Sequence, residues 1–164
     1  MRVPIRKPGK FTHSKNDPHI SEAKFLELKQ KLAGLKRAQK ELTKEVETQA
    51  ATGDFSDNAP YQFAKARLRG INQGILETEE MIKRAIIIKP GDDGIIRLGN
   101  TVTVESNGRK LVYTILGSTE TNPTKGIISY QSPIGAALLG RKIGDLVKMG
   151  PGQKFVEYKI VGIE

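Results

Sequence analysis

Gly53-Asp54-Phe55-Ser56-Asp57-Asn58-Ala59-Pro60-Tyr61 decides the architecture of this chain. It is the one place where turn-forming residues interrupt two long segments of helical period. Upstream, Phe25, Leu28, Leu32, Leu35, Gln39, Leu42, Val46 and Gln49 alternate spacings of three and four, an a/d heptad seam with Lys and Glu between. Downstream, Tyr61, Ala64, Leu68, Ile71, Ile75, Thr78, Ile82 and Ala85 repeat the pattern. Each apolar stripe is narrow enough for one partner helix. Their short link therefore predicts an antiparallel coiled-coil hairpin, residues 21–89, with its tip at 53–61. Ser21 can cap the first helix with Glu22 in its first turn, and Pro60 suits the first turn of the second. About thirty residues at ~1.5 Å rise give an arm of roughly 45 Å.

Outside the hairpin the patterns change. Residues 1–20 hold three prolines, five basic residues and one acidic residue without a period, and read as a flexible basic extension. His13 and His19 lie there without partners at metal-ligand spacing and read as solvated. The second helix should run out near Ile86–Lys89, where Lys89-Pro90-Gly91-Asp92-Asp93-Gly94 marks a domain boundary. Residues 90–164 then read as an α+β domain, a small antiparallel sheet with one short helix. Its strands are expected at 101–104, 110–116, 126–130, 146–149 and 155–163, with Asn107-Gly108 as a hairpin turn. Ser132 caps the helix, Pro133 takes its first position and Gly140 ends it.

The chain has 164 residues, and its hydrophobic fraction of 37% is low for one compact globule. It has no cysteine, which removes disulfides and thiolate metal sites and is compatible with a reducing cytoplasm. No apolar run reaches the length of a membrane span, and the basic N-terminus lacks the apolar stretch of a secretory signal. The formal net charge of +9, from 27 Lys and Arg against 18 Asp and Glu, favours a polyanionic or acidic partner.

Residues 90–164 contain no histidine, no nucleophile-elbow pattern and no phosphate-binding loop, so docking is a better reading for them than catalysis. An isomerase role is disfavoured, since aromatics are sparse and no apolar pocket is evident. At the tip, Asp54 and Asp57 are three apart and could face one way. Two carboxylates are too few for a metal cage of their own, but they could complete the shell of a magnesium ion held by another protein. On spacing alone, turn and capping roles are the more economical account. Lys65, Arg67 and Arg69 follow the tip, with Lys40 and Lys44 on the opposing helix. They read as a basic flank for an RNA backbone or as a solvated face. Phe63 and Tyr61 could stack on a base, although Tyr61 falls in the seam.

The residues from Gly53 to Tyr61, followed by Gln62-Phe63-Ala64-Lys65-Ala66-Arg67-Leu68-Arg69, resemble the coiled-coil tip of the bacterial GreA/GreB transcript cleavage factors, and are closer to GreB. Ser132-Pro133-Ile134-Gly135-Ala136-Ala137-Leu138-Leu139-Gly140, continuing to Asp145, is similar to the Ser-Pro helix and Gly-Asp turn of the same family. The resemblance implies an FKBP-like C-terminal domain that docks on RNA polymerase, with Ser132 and Pro133 at the docking surface. It implies a coiled coil that enters the secondary channel, with Lys40, Lys44, Lys65, Arg67 and Arg69 contacting RNA or polymerase. Asp54 and Asp57 would share magnesium with the polymerase, which itself cleaves the 3′ end of backtracked RNA. The chain would then be a cytoplasmic, monomeric accessory factor rather than an enzyme, binding no cofactor alone. It departs from the family at Asp57, where Glu is usual, and at Pro60, where an acid is usual. A channel regulator or inhibitor without cleavage is the alternative that these departures keep open. A free-standing nucleic-acid-binding coiled coil (DNA or RNA) is a third reading.

Overall fold

The computed structural model describes residues 17–51, 59–149 and 155–164. The chain divides into two compact units, one formed by Glu22–Ala85 and the other by Ile86–Glu164 together with the described residues up to Ser21.

The first unit is a helical hairpin of α1 (Glu22–Ala50) and α2 (Ala59–Arg84). Every residue of both expected seams is buried or half-buried, with Leu28, Leu42, Ala64, Ile75 and Thr78 the deepest. Thr78 satisfies its buried hydroxyl by donating to the Gly74 carbonyl one turn earlier, 2.7 Å away. Pro60 lies in the first turn of α2, and Lys83 and Arg84 occupy the last, where cations suit the helix dipole.

α2 stops earlier than the sequence reading placed it. Ile86–Ile87 leave the helix as a short strand, β2, parallel to β1 (His19–Ile20), with Ile86 N donating to Pro18 O at 2.7 Å and Ile88 N to Ile20 O at 2.9 Å. Three consecutive β-branched residues favour that extended course over another helical turn.

This pairing also corrects the reading of residues 17–20 as part of a flexible extension. Asp17 is buried, and its carboxylate accepts from the backbone N and hydroxyl of Ser118 at 2.9 and 3.1 Å and from the His19 backbone N at 3.1 Å. His19 is not a solvated tail residue: Nδ1 lies 3.1 Å from the same carboxylate and its ring packs edge-on to Tyr130. One turn of 3₁₀ helix, Ser118–Glu120, returns a carboxylate: Glu120 accepts from the backbone N and hydroxyl of Ser21. The approach is close enough that a Cβ on Gly117 would sit 1.9 Å from the His19 carbonyl oxygen.

The rest of this unit is a five-stranded sheet made of β3 (Thr101–Ser106), β4 (Arg109–Leu116), β5 (Ile127–Ser129), β6 (Leu146–Met149) and β7 (Val156–Ile163), in the order β5-β4-β3-β7-β6. Pairings are antiparallel except that β5 runs parallel to β4. Asn107 and Gly108, both at positive φ, make the two-residue turn between β3 and β4 that their sequence signals. Ser132 caps α3 (Pro133–Leu138), accepting from Gly135 N at 3.0 Å, and α3 closes the core with Leu138 over Val102, Val104, Ile115, Val147 and Ile160. At Gly135 a Cβ would lie 2.1 Å from the Ser129 carbonyl oxygen, so α3 can approach the end of β5 only with glycine there.

Burial alone would raise the Asp17 carboxyl, but the hydrogen bonds from Ser118 and His19 outweigh it and hold the group below its ordinary value. A carboxylate depressed in the folded state stabilises the fold above its unfolded pKa and loses that contribution as pH falls through the folded one. Acid unfolding should therefore gain a component that begins near the ordinary Asp value of 3.8 and completes below it. Asp17→Asn should be less stable at neutral pH and lack that component, as read by thermal melting across pH.

Candidate nucleic-acid interface on the helical hairpin

The hairpin is held in register by apolar seam contacts and a polar layer. Gln39 Nε2 donates to Asn72 Oδ1 at 2.7 Å across the seam. Such a layer costs stability relative to an apolar pair but penalises shifted alignments that would separate the two amides.

Two ion pairs distinguish the sides of the seam. Lys36 Nζ lies 2.7 Å from Glu79 on one side, and Arg67 Nη1 lies 3.5 Å from Glu45 on the other. At 3.6 residues per turn, Lys40, Thr43, Lys44 and Glu47 follow Lys36 along its side of α1. These four residues and Gln39 bound a shallow depression of ≈ 380 Å³. By the same period Lys65 and Arg69 follow the Glu79 side of α2. The Lys65 ammonium also lies 5.6 Å from the centre of the Tyr61 ring. Lys40, Lys44, Lys65 and Arg69 thus share one side, with Glu47 the acid among them. Arg67, grouped with them in the sequence reading, belongs to the opposite side and is tied to Glu45. Phe63 lies one turn before Arg67 on that opposite side and is 73% exposed. The i, i+4 spacing of Lys65 and Arg69 puts them on one face in the sequence, but spacing within one helix cannot say which side of the other helix that face meets.

Beyond the Lys36–Glu79 pair, this side offers four cations against the single carboxylate of Glu47, which can track a phosphate backbone, and the solvated lysine stems can rearrange to do so. Among the described residues no cluster of three or more His, Cys, Asp or Glu could hold a metal. Asp54 and Asp57, the expected metal ligands, lie outside the described residues, as do His13 and the turn containing both acids.

In the other unit, Ser132 and Pro133 border an apolar groove of ≈ 600 Å³ whose walls include Pro123, Ile127, Ile134 and Phe155. This corrects the expectation that the C-terminal domain lacks an apolar pocket. Its walls come from residues between Thr121 and Phe155, and no local pattern in the sequence announces them. The Ser132 hydroxyl is engaged in the cap and in a 2.7 Å bond to the Ser129 carbonyl, so Pro133 is the better contact residue of the two.

The family description "Transcription elongation factor, N-terminal" matches residues 19–87, and "Transcription elongation factor, GreA/GreB, C-term" matches residues 91–164. The chain belongs to the GreA/GreB family. Transcription elongation factor GreA of Thermomicrobium roseum is 38% identical over 116 residues, covering 69% of this chain and 74% of that protein. GreA of Bacillus anthracis is 33% identical over 155 residues, covering 92% of this chain and 98% of its own length. Among solved structures, GreA factor homolog 1 of Thermus thermophilus is 28% identical and covers 90% of this chain and 99% of that one, with a TM-score of 0.43. The GreA/GreB N-terminal match spans the whole hairpin, and the C-terminal match spans the sheet, α3 and the groove.

The Gln39–Asn72 layer should behave as a register device. Gln39→Leu leaves the Asn72 amide without its partner and should cost about 1 kcal/mol. Replacing both by Leu should recover or exceed the original stability. Thermal unfolding followed by far-ultraviolet circular dichroism reads both changes.

Proposed function

We propose that this chain binds RNA polymerase, places its hairpin in the secondary channel and stimulates cleavage of the 3′ end of backtracked RNA. The observation that carries this reading is the pair of GreA/GreB matches in chain order, with Asp54 and Asp57 in the segment joining α1 to α2. The chain acts as an accessory factor, and the polymerase owns the nuclease.

Carboxylate oxygens are the donors that magnesium takes, and two of them leave most of its shell to the polymerase and substrate. When bound there, the ion supplies Lewis-acid activation of a water and neutralises charge on the phosphate. Asp54 and Asp57 are the residues of this chain that would hold it, each through a carboxylate oxygen. Lys40, Lys44, Lys65 and Arg69 hold the extruded RNA by its phosphates along one side of the hairpin. Pro133 and the apolar walls beside it seat a segment of polymerase in the groove of the C-terminal unit.

Incubated with backtracked elongation complexes and magnesium, the chain should release short 3′ RNA fragments. Asp54→Asn with Asp57→Asn should lower that rate by at least tenfold and leave polymerase binding intact. Equal cleavage with and without the two carboxylates sinks the mechanism. Slowed nucleotide addition with the backtracked RNA left whole would mark an inhibitor instead. Lys65→Glu with Arg69→Glu should weaken RNA contact and reduce the salt slope of binding by about 1.4, the share of two phosphates on a single strand. Arg67→Glu should change that slope less.

A further inference from the structure

Lys65 differs from its neighbouring cations in what restrains it. Lys36 and Arg67 are each held by a carboxylate, Glu79 at 2.7 Å and Glu45 at 3.5 Å. An ion pair fixes a cation by neutralising it. Among the described residues no carboxylate pairs with Lys65. Its ammonium sits instead over the Tyr61 ring, 5.6 Å from the centre. The face of an aromatic ring attracts a cation through its quadrupole and leaves the positive charge whole. Lys65 is therefore directed without being quenched, and its charge stays available to an anion from outside the chain.

The contact also has a direction. Tyr61 occupies a seam position and is half-buried, so its ring is the better anchored of the two groups. Helical side chains lean toward the N-terminal end of their helix, and Lys65 reaches back one turn toward the start of α2. The segment bearing Asp54 and Asp57 enters α2 at that end. A second contact of the same kind supplies a comparison. Lys29 lies over the ring of half-buried Phe25 at 4.6 Å, again with i, i+4 spacing from a seam position. Phe25 is in the first turn of α1, at the end of the hairpin away from the two acids.

We propose that Tyr61 is a positioning residue for RNA cleavage: its ring holds the unquenched ammonium of Lys65 toward the tip, against a phosphate of the backtracked RNA. This inference rests on the reading that the hairpin meets that RNA inside polymerase. It adds that one seam residue sets where the nearest of the four cations acts.

Tyr61→Leu keeps an apolar side chain in the seam and removes the ring face, whereas Tyr61→Phe keeps both. At saturating concentration on backtracked elongation complexes, Tyr61→Leu should release 3′ RNA fragments about two- to fivefold more slowly, the size of an exposed cation–π contact. Tyr61→Phe should match the unsubstituted chain. In a Lys65→Ala background, Tyr61→Leu should cost nothing further. Phe25→Leu, which removes the same kind of contact at the other end, should leave the rate unchanged. In the isolated chain, the ε-methylene protons of Lys65 should show an upfield ring-current shift that Tyr61→Leu abolishes.

An undiminished rate in Tyr61→Leu overturns the inference, as does absence of the upfield shift. An equal loss with and without Lys65 also overturns it, since that is what lost seam packing produces. If Lys65→Ala slows cleavage and Tyr61→Leu does not, only the positioning role is lost. If Lys65→Ala cleaves at the full rate, the RNA contact of Lys65 is lost with it. If the unsubstituted chain releases no fragments, the cleavage reading falls and this inference with it.

Discussion

The seam between α1 and α2 is the contact on which the candidate site depends. It is narrow, with Leu28 and Leu42 on one helix and Ala64 and Ile75 on the other as its buried apolar members. Because so little of each helix is consumed by packing, most of its circumference is left for other purposes. Side chains outside the seam, such as Lys40, Lys44, Lys65 and Phe63, contribute little to burial and are constrained mainly by what they meet outside the chain. That is why charge and exposure on this hairpin carry functional information that they would not carry on a core helix.

Ion pairs such as Lys36–Glu79 and Arg67–Glu45 are exposed, and pairs of that kind contribute roughly 0–1 kcal/mol each. Their value here is directional. Opposite signs across the seam favour one antiparallel alignment, and the Gln39–Asn72 amides favour the same one. Agreement between the apolar period, the polar layer and the flanking charges specifies a single register.

Much of this was legible in the sequence because a heptad period is a local signal repeated many times. Phe25 to Gln49 and Tyr61 to Ala85 needed only their spacing, and Ser132-Pro133 and Asn107-Gly108 announced their turns by residue type. What was not legible is what depends on pairing across distance. The β1–β2 pair has two residues on each strand, too few to show any alternation, and Asp17 becomes a buried acceptor only because Ser118 arrives a hundred residues later. The groove beside Pro133 likewise assembles from Pro123, Ile127, Ile134 and Phe155, none of which is informative alone. On the hairpin, composition supplied the cations, but their division into two sides required the partners of Lys36 and Arg67.

The two units solve stability in different ways, and that difference bears on where function can be placed. The sheet unit has a continuous core from Ile96 to Ile160, and its tight approaches at Gly117 and Gly135 leave no room for a Cβ. A change there propagates into packing, and the cost of overfilling such a site is about 1–3 kcal/mol. The helix surfaces outside the seam have no such contacts to lose. Substitutions at Phe63, Lys65 or Arg69 change the exposed surface while α1 and α2 stay zipped through the seam. A departure such as Asp57 or Pro60 is subject to the same logic: Asp57 falls between two helices that the seam already holds, and Pro60 sits in the first turn of α2, where its missing N–H costs no hydrogen bond, so neither disturbs the zipped seam.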